Sequence, residues 1–291
     1  MTEPNRPYRW DLVRPDQLGE LPAGAPVLWF LDELTACAAK VLARSEDGDL
    51  HFVGRSGDSV YDLLSGALTD RSRLRLLPLS LGMVGNPRLG PLAPGETTQL
   101  RANLADAGLS PANLAGGGRP VVFTDLVWTG GTFGTLLNLL RYWAADDGVA
   151  WVEVRRRVRF LGITMREESS PKAWRWQQHA DWTTDLPASA IRNVSLDARV
   201  WSYFGDDQPK LTRSFSREKW TADGVRAPQH DKLTRGALAE ALAVVAAGRT
   251  PAVRDRMVRE LVKEPAIARP WLRALVTELK LPAPRTPPRK A

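Results

Sequence analysis

Apolar residues occur along this chain in short runs and in longer stretches of helical spacing, separated by Gly and Pro. Residues 50–54, 74–81 and 121–127 are short apolar runs of the kind that form buried strands. Helical spacing begins at about Leu31 and returns after each of these runs. Strands that alternate with helices over residues 26–165 predict an α/β fold, with a twisted, mainly parallel sheet flanked by helices. Ligands of such sheets bind at the carboxyl ends of the strands.

The pattern changes in the second half of the chain. Residues 152–165 alternate well enough to predict one or two strands. Four basic side chains lie on this ribbon: Arg155, Arg156, Arg157 and Arg159. A solvated strand face is the favoured interpretation of these arginines, and contact with a nucleic-acid backbone is the alternative.

Four regions are predicted from these patterns. Residues 1–165 form the α/β core with its lead-in, and residues 166–228, where tryptophans occur without a steady period, form an irregular cap or hood. Residues 229–281 contain three amphipathic helical segments that predict a small bundle. Residues 282–291 are expected to be a disordered basic tail.

The net charge and the cysteine content bear on possible partners and on disulfide formation. The formal net charge is +7, and the chain from Arg226 onward carries 14 Lys and Arg against 6 Asp and Glu. This excess could add weak attraction to nucleic acid, although a solvated end is the favoured interpretation. The single cysteine, Cys37, excludes an internal disulfide and is expected to be a buried thiol.

No apolar run reaches the roughly 18 residues of a membrane span, and Met1–Trp10 lacks a signal peptide's apolar core. We therefore expect a cytoplasmic protein without a membrane partner.

The most informative stretch is residues 121–132, with the sequence VVFTDLVWTGGT. It is an apolar strand that carries Asp125 toward its carboxyl end and continues into a Gly-Gly turn before a helix. Glycines let backbone amides approach an anion at a helix N-terminus, and the neighbouring threonines can donate hydrogen bonds. This arrangement predicts a site for a phosphorylated sugar.

These residues resemble the phosphate-loop motif of the type I phosphoribosyltransferases. The resemblance implies that the loop binds the 5-phosphate of phosphoribosyl pyrophosphate (PRPP) and that Asp125 is the catalytic-site acid that contacts the ribose hydroxyls. The implied phosphate-loop residues are Thr124, Trp128, Thr129, Gly130, Gly131 and Thr132.

Two further segments are similar to parts of that family. The loop after the first strand, Gly54, Arg55, Ser56 and Gly57, resembles the family's pyrophosphate loop, in which Arg55 would neutralise the leaving group. The Gly- and Pro-rich residues 82–95 fall where the family has a flexible catalytic loop, with Arg88 as the candidate to close over pyrophosphate. The resemblance also implies Mg²⁺, held mainly by PRPP itself.

Two positions depart from the family pattern. Thr124 stands where a second acid is usual, and bulky Trp128 replaces a small hydroxyl residue at the start of the loop. Either departure would fit an unusual sugar donor or a site that binds PRPP without using it.

The sequence contains no motif for the site that would bind the acceptor. Trp174, Trp176 and His179 in the hood are candidate acceptor contacts, although packing against the sheet is the favoured interpretation of each tryptophan. Asp58 and Asp62 could both support Arg55, although a helix-capping role is the favoured interpretation of Asp62.

The leading hypothesis is an enzyme that transfers ribosyl 5-phosphate from PRPP to an unidentified nitrogenous or aromatic acceptor, with release of pyrophosphate. One alternative is a non-catalytic PRPP sensor that contacts nucleic acid or protein, and another is a phosphosugar or nucleotide hydrolase or phosphorylase on the same fold. The expected partners are the small-molecule donor and acceptor. A homodimer is compatible with the resemblance because family members often pair.

Overall fold

The structure is a computed structural model that describes residues 3–13, 21, 24–81, 90–166 and 175–281. These residues contain ten α-helices: α1 (Leu31–Arg44), α2 (Asp58–Ala67), α3 (Pro94–Asp106), α4 (Pro111–Ala115), α5 (Gly131–Asp146), α6 (Trp151–Arg157), α7 (Ala198–Ser202), α8 (Lys232–Arg249), α9 (Pro251–Leu261) and α10 (Pro270–Lys280). The same residues contain five strands: β1 (Asp49–Val53), β2 (Leu74–Leu77), β3 (Val121–Leu126), β4 (Val158–Met165) and β5 (Ile191–Leu196).

The five strands form one parallel sheet in the order β2-β1-β3-β4-β5. The chain runs outward from β1 to β2 and then returns past β1 to β3, so the direction of winding reverses between β1 and β3. In a parallel sheet the crevice at such a reversal, at the carboxyl ends of the strands, is the usual place for a ligand. The predicted α/β class, with a parallel sheet flanked by helices, is confirmed.

Both faces of the sheet are covered. Along β3, Val122 packs into the apolar cluster of α1, α2 and the C-terminal helices, whereas Val121 and Phe123 pack into the cluster of α3 to α6. A strand that is buried on both faces needs apolar residues at successive positions. This requirement explains the continuous apolar run that identified β3 in the sequence.

The C-terminal helices form where the sequence predicts them, and they pack on the core. α8 lies against α2, and α9 lies against α1. The crossing of α2 and α8 depends on two glycines: a β-carbon at Gly66 would lie 2.1 Å from the carbonyl oxygen of Val245, and one at Gly248 would lie 2.3 Å from that of Leu63. Backbone therefore meets backbone at this crossing, and α8 to α10 share the cluster formed by α1, α2 and one face of the sheet.

The strand prediction for residues 152–165 is correct only from Val158 onward. The preceding residues form α6, because Trp151 and the fully buried Val154 follow helical spacing onto the core. Arg155 bonds to Asp185 and Arg157 to the carbonyl oxygen of Gly118. The expected arginine ribbon is thus mainly a helix end, in which Arg156 pairs with Glu153 of the same helix, and only Arg159 lies on a strand.

The region predicted as an irregular hood contributes a strand to the sheet. β5 pairs in parallel with β4, and its alternating sequence buries Val194 and Leu196. Short 3₁₀ helices at 176–178, 181–185 and 188–190 precede it, and α7 and a π-helical turn at 203–207 follow it. The aromatic and charged content of this region hid the six-residue strand.

Among the described residues, no single helix is long and apolar enough to cross a membrane. The pair α8 and α9, bent by 70° at their junction, meets the length and composition criteria only when the two are taken together.

Candidate functional site

Two helices begin with a glycine N-cap at the point where the sheet reverses. α2 starts directly after Gly57, and α5 starts directly after Gly130; neither N-cap makes a side-chain capping hydrogen bond. Because β1 and β3 are neighbouring strands, the two helix N-termini flank one crevice. The helix dipole at each N-terminus favours an anion. At α2 the amides of Asp58 and Val60 already donate to the carbonyl oxygens of Arg55 and Gly57.

The ring of Trp176 packs against the loop before α5. Gly130 has a φ of 79°, in the left-handed region, and a β-carbon there would lie 2.4 Å from the Trp176 ring. Trp176 is 1% exposed and its Nε1 donates a hydrogen bond of 2.8 Å to Asn193 Oδ1. Trp176 therefore supports the loop before α5, and as a buried residue it presents no open face for the acceptor contact considered from the sequence.

The outer part of the same loop is open. Gly131 is exposed, and a β-carbon there would come no closer than 3.8 Å to Thr129 Oγ1. Thr129 is also exposed, and Thr132 is partly exposed in the first turn of α5. Trp128 is 59% exposed, with its ring centroid 6.1 Å from that of Trp201. The ring of Trp128 thus lies beside α7, and Gly131 is the exposed glycine of the turn.

Asp125 lies near the carboxyl end of β3 and is 8% exposed. Burial raises the pKa of its carboxyl to about 8, against the opposing effects of the Leu126 backbone amide and the positive charge of Lys210. A buried carboxylate with so little compensation gains stability from any hydroxyl donor that reaches it. Its neighbour Thr124 is fully buried, and Thr124 Oγ1 has no hydrogen-bond partner among the described residues.

Arg55 lies in the loop between β1 and α2, which starts at Gly54 with a φ of 72°. Its Nη1 donates to the carbonyl oxygen of Thr212 at 3.2 Å. Burial lowers the pKa of Arg55, and the neighbouring Asp58 carboxylate opposes this effect. The predicted support of Arg55 by Asp58 thus has an electrostatic basis. Ser56 is partly exposed beside it, and Gly57 is buried.

Asp62 is not a capping acid. It lies in the second turn of α2, 3% exposed in its side chain, where Arg9 Nη2 donates to Asp62 Oδ1 at 2.8 Å and lies 3.8 Å from Asp58 Oδ2. Burial raises the pKa of Asp62 to about 7, although the charge of Arg9 works against it. Burial also lowers the pKa of Arg9, but the two carboxylates outweigh that effect and hold it above its ordinary value. The N-terminal lead-in therefore supplies the counterion for both acids of α2.

Sequence reasoning missed Lys210, which the fold brings to the same crevice. Its Nζ donates to the carbonyl oxygen of Phe204 and, at 2.9 Å, to Gln208 Oε1. Burial lowers the pKa of Lys210 to about 8, and Arg55 adds to this shift, whereas the Asp58, Glu240 and Asp125 carboxylates oppose it. The lysine lies in a stretch without periodicity or a motif, so only the tertiary structure identifies it.

Two candidates from the sequence, Arg88 and Trp174, lie outside the described residues. His179 is exposed at the end of the 3₁₀ helix that contains Trp176. The buried His51 packs near Phe123 within the sheet, and burial lowers its pKa to about 4, in keeping with a structural role.

No protein-family model, curated protein or solved structure matches this chain. Among the residues that the structure describes, no group of three or more His, Cys, Asp and Glu side chains is arranged to hold a metal ion. The donor set at the crevice, essentially the Asp125 carboxylate, suits a metal that is coordinated mainly by a phosphorylated substrate.

Proposed function

We propose that this chain is a PRPP-dependent enzyme of the phosphoribosyltransferase type, which transfers ribosyl 5-phosphate to a nitrogenous or aromatic acceptor and releases pyrophosphate. One observation carries the proposal: two glycine-led helix N-termini, those of α2 and α5, flank the buried Asp125 at the reversal of a parallel sheet. PRPP has the complementary layout, with an anion at each end of a sugar that carries two hydroxyls.

The assignment of the ligand's parts follows from the loops. The turn of Thr129, Gly130 and Gly131 receives the 5-phosphate, because Thr129 and Gly131 are exposed and the Thr129 hydroxyl can donate a hydrogen bond. Asp125 accepts hydrogen bonds from the ribose hydroxyls, which relieve the cost of burying its carboxylate. Arg55 binds the diphosphate at the positive N-terminal end of α2.

Transfer from PRPP passes through a state in which the ribose ring gains positive charge while pyrophosphate departs. The Asp125 carboxylate, buried near the carboxyl end of β3, stabilises the developing positive charge. Arg55 neutralises the charge that accumulates on the leaving group. Mg²⁺ bound to the diphosphate would add Lewis-acid neutralisation of the same charge.

Thr124 is the departure from the family pattern with the clearest structural consequence. A carboxylate at this fully buried position would need compensating donors, and the neutral hydroxyl has lower desolvation cost. The site therefore holds the ribose with one acid from β3. Because of this single acid, a sensor that binds PRPP without turnover is the second candidate function. Both candidates place the protein among cytoplasmic, nucleotide-related proteins.

A combined binding and release assay tests the proposal. The purified chain is incubated with PRPP and Mg²⁺, and pyrophosphate release is followed with and without a pool of nucleobases, aromatic acids and amines. We expect PRPP binding and acceptor-dependent release. Binding without release from any pool favours the sensor, release without an acceptor favours a hydrolase, and failure to bind PRPP contradicts the proposal. Asp181→Asn, at an exposed position in the 3₁₀ helix 181–185, is the matched control for variants of Asp125.

A further inference from the structure

A cavity lies at the end of the sheet opposite the candidate crevice. It has a volume of about 890 Å³ and is lined by the end of α1, the first three residues of β5 and the segment 264–271, which joins α9 to α10. The start of β5 marks the amino ends of the parallel strands, whereas Asp125 lies near the carboxyl end of β3. The cavity is therefore separate from the proposed PRPP site, and its volume is in the range of small-molecule sites.

One wall of this cavity is an ion pair whose hydrogen bonds are complete. Arg44 Nε donates to Glu264 Oε2 and Arg44 Nη2 to Glu264 Oε1, each at 3.0 Å. Arg44 Nη1 donates to the carbonyl oxygen of Asn193 on β5. All three guanidinium nitrogens are thus engaged, and the Glu264 side chain is 11% exposed. These bonds join the segment 264–271 to α1 and β5, so the protein itself fixes this wall without a ligand.

The charges that line the cavity leave one arginine unmatched. Arg192 Nη2 donates to Glu46 Oε1 at 2.9 Å, so both lining acids, Glu46 and Glu264, have an arginine partner. Arg269 is the third lining arginine, and within the described part of the chain its side chain has no hydrogen bond or ion pair. Arg269 is also the N-cap residue of α10, so the positive end of that helix lies at the same place. Both features favour an anion.

Apolar side chains make up most of the remaining lining. Trp271 lies in the first turn of α10, two residues after Arg269, and is partly exposed while it packs against the core that α1 shares with the C-terminal helices. Ile191, Pro265 and Ala266 add further apolar surface. An indole ring that is only half-covered by the protein offers a planar apolar contact to a ring of a ligand.

We propose that this cavity binds a small carboxylate that carries an aromatic ring system, with the carboxylate paired to Arg269 and the ring against Trp271. The planar guanidinium group matches a carboxylate through two parallel hydrogen bonds. The ligand neutralises the arginine that the lining acids leave unmatched, and its ring covers the apolar part of the cavity. This site lies apart from the crevice and does not depend on PRPP.

The test separates the charge of the ligand from its ring. Binding of naphthoate and of its uncharged analogue naphthamide is measured by calorimetry for the wild type and for Arg269→Met. We expect the wild type to bind naphthoate about tenfold more tightly than naphthamide, the effect of one charge-assisted contact. Arg269→Met should reduce this preference to less than about threefold and leave naphthamide binding nearly unchanged. Arg273→Met, at an exposed position one turn further along α10 and outside the cavity lining, is the matched control.

A second variant tests the cavity by filling it. Ala266 lines the cavity from the 3₁₀ helix Pro265–Ala268. Ala266→Trp places an indole ring in the space and should weaken the binding of naphthoate and naphthamide alike, by at least about tenfold. Thermal unfolding of the variant, compared with that of the wild type, shows that the loss of binding is not a loss of fold.

Three results would overturn the proposal. The first is a wild type that shows no saturable binding of naphthoate, or that binds naphthoate and naphthamide equally. The second is a preference for naphthoate that survives in Arg269→Met or is lost equally in Arg273→Met, because either result places the anion away from Arg269. The third is full affinity for both compounds in a folded Ala266→Trp variant, which would place the ring outside the cavity.

Discussion

Gly130 lies directly against the indole ring of Trp176, so closely that a β-carbon at position 130 would come within 2.4 Å of a ring carbon. The glycine also has a φ of 79°, which an L side chain rarely adopts. This contact ties the loop before α5 to the core at Gly130, while the next residue, Gly131, is exposed.

The two glycines should therefore respond differently to the same substitution. Gly130→Ala is expected to destabilise the fold by about 2 kcal/mol or more, since it combines backbone strain with a clash. Gly131→Ala should leave the melting temperature nearly unchanged and weaken ribose 5-phosphate binding, because its methyl group lies where the phosphate approaches the amides. Thermal unfolding and calorimetry check the pair. Equal stability of the two variants would contradict the described loop.

Asp125 makes stability depend on pH. Its pKa is raised by burial to about 8 in the folded protein from an ordinary value of 3.8, so the folded state binds the extra proton between those values. Stability therefore falls as pH rises from about 4 to 8. Asp125→Asn removes this contribution, and we expect its melting temperature to exceed that of the wild type by on the order of 5 °C at pH 8 and by little at pH 4. A difference that is independent of pH would contradict the burial of an uncompensated carboxyl.

Arg9 is expected to be the most important residue of the N-terminal lead-in for stability. Arg9→Met leaves Asp62 and Asp58 buried without their counterion and should cost about 3 kcal/mol of unfolding free energy. Urea denaturation at pH 7 measures the loss. In the Arg9→Met background, Asp62→Asn should restore part of it, whereas Asp11→Asn, an exposed acid nearby, should not. Absence of this coupling would show that the pair does not form.

Of the two tryptophans at the site, Trp176 is buried and Trp128 is exposed, so their substitution should affect stability differently. Trp176→Ala is expected to cost about 3–5 kcal/mol, because the ring is buried below the loop. Trp128→Ala should cost less than about 1 kcal/mol, since the side chain is 59% exposed. Chemical denaturation of both variants gives the comparison. A large loss from Trp128→Ala would mean that its contact with Trp201 is part of the core.

The sequence predicted those parts of the fold whose residues carry a local signal. β1 and β3 are buried on both faces, so their apolar runs identified them, and Pro251 and Pro270 marked the starts of α9 and α10. α6 was taken for a strand because its arginines mask the spacing of Trp151 and Val154. β5 was missed because a single short strand among polar residues is stabilised by its pairing with β4 and not by its own pattern.

In the candidate site, too, the sequence predicts only the residues that lie close together in the chain. Asp125 and the Gly-Gly turn are adjacent in sequence, so a motif could reveal them. Arg9 and Lys210 lie 46 and 155 residues away from Arg55 in the sequence. No motif around either residue indicates that the fold brings it to the crevice. The assignment of Asp62 as a cap failed for this reason, because its partner is Arg9.

The most direct test of the central claim is the binding of PRPP with Mg²⁺ to the wild type and to Asp125→Ala, measured by calorimetry at pH 7.5 after circular dichroism has shown that both are folded. We expect saturable one-to-one binding by the wild type and a loss of at least about 100-fold in Asp125→Ala, with Asp181→Asn unchanged. Tight binding retained by Asp125→Ala, or no binding by the wild type, would contradict a PRPP site at the carboxyl ends of β1 and β3.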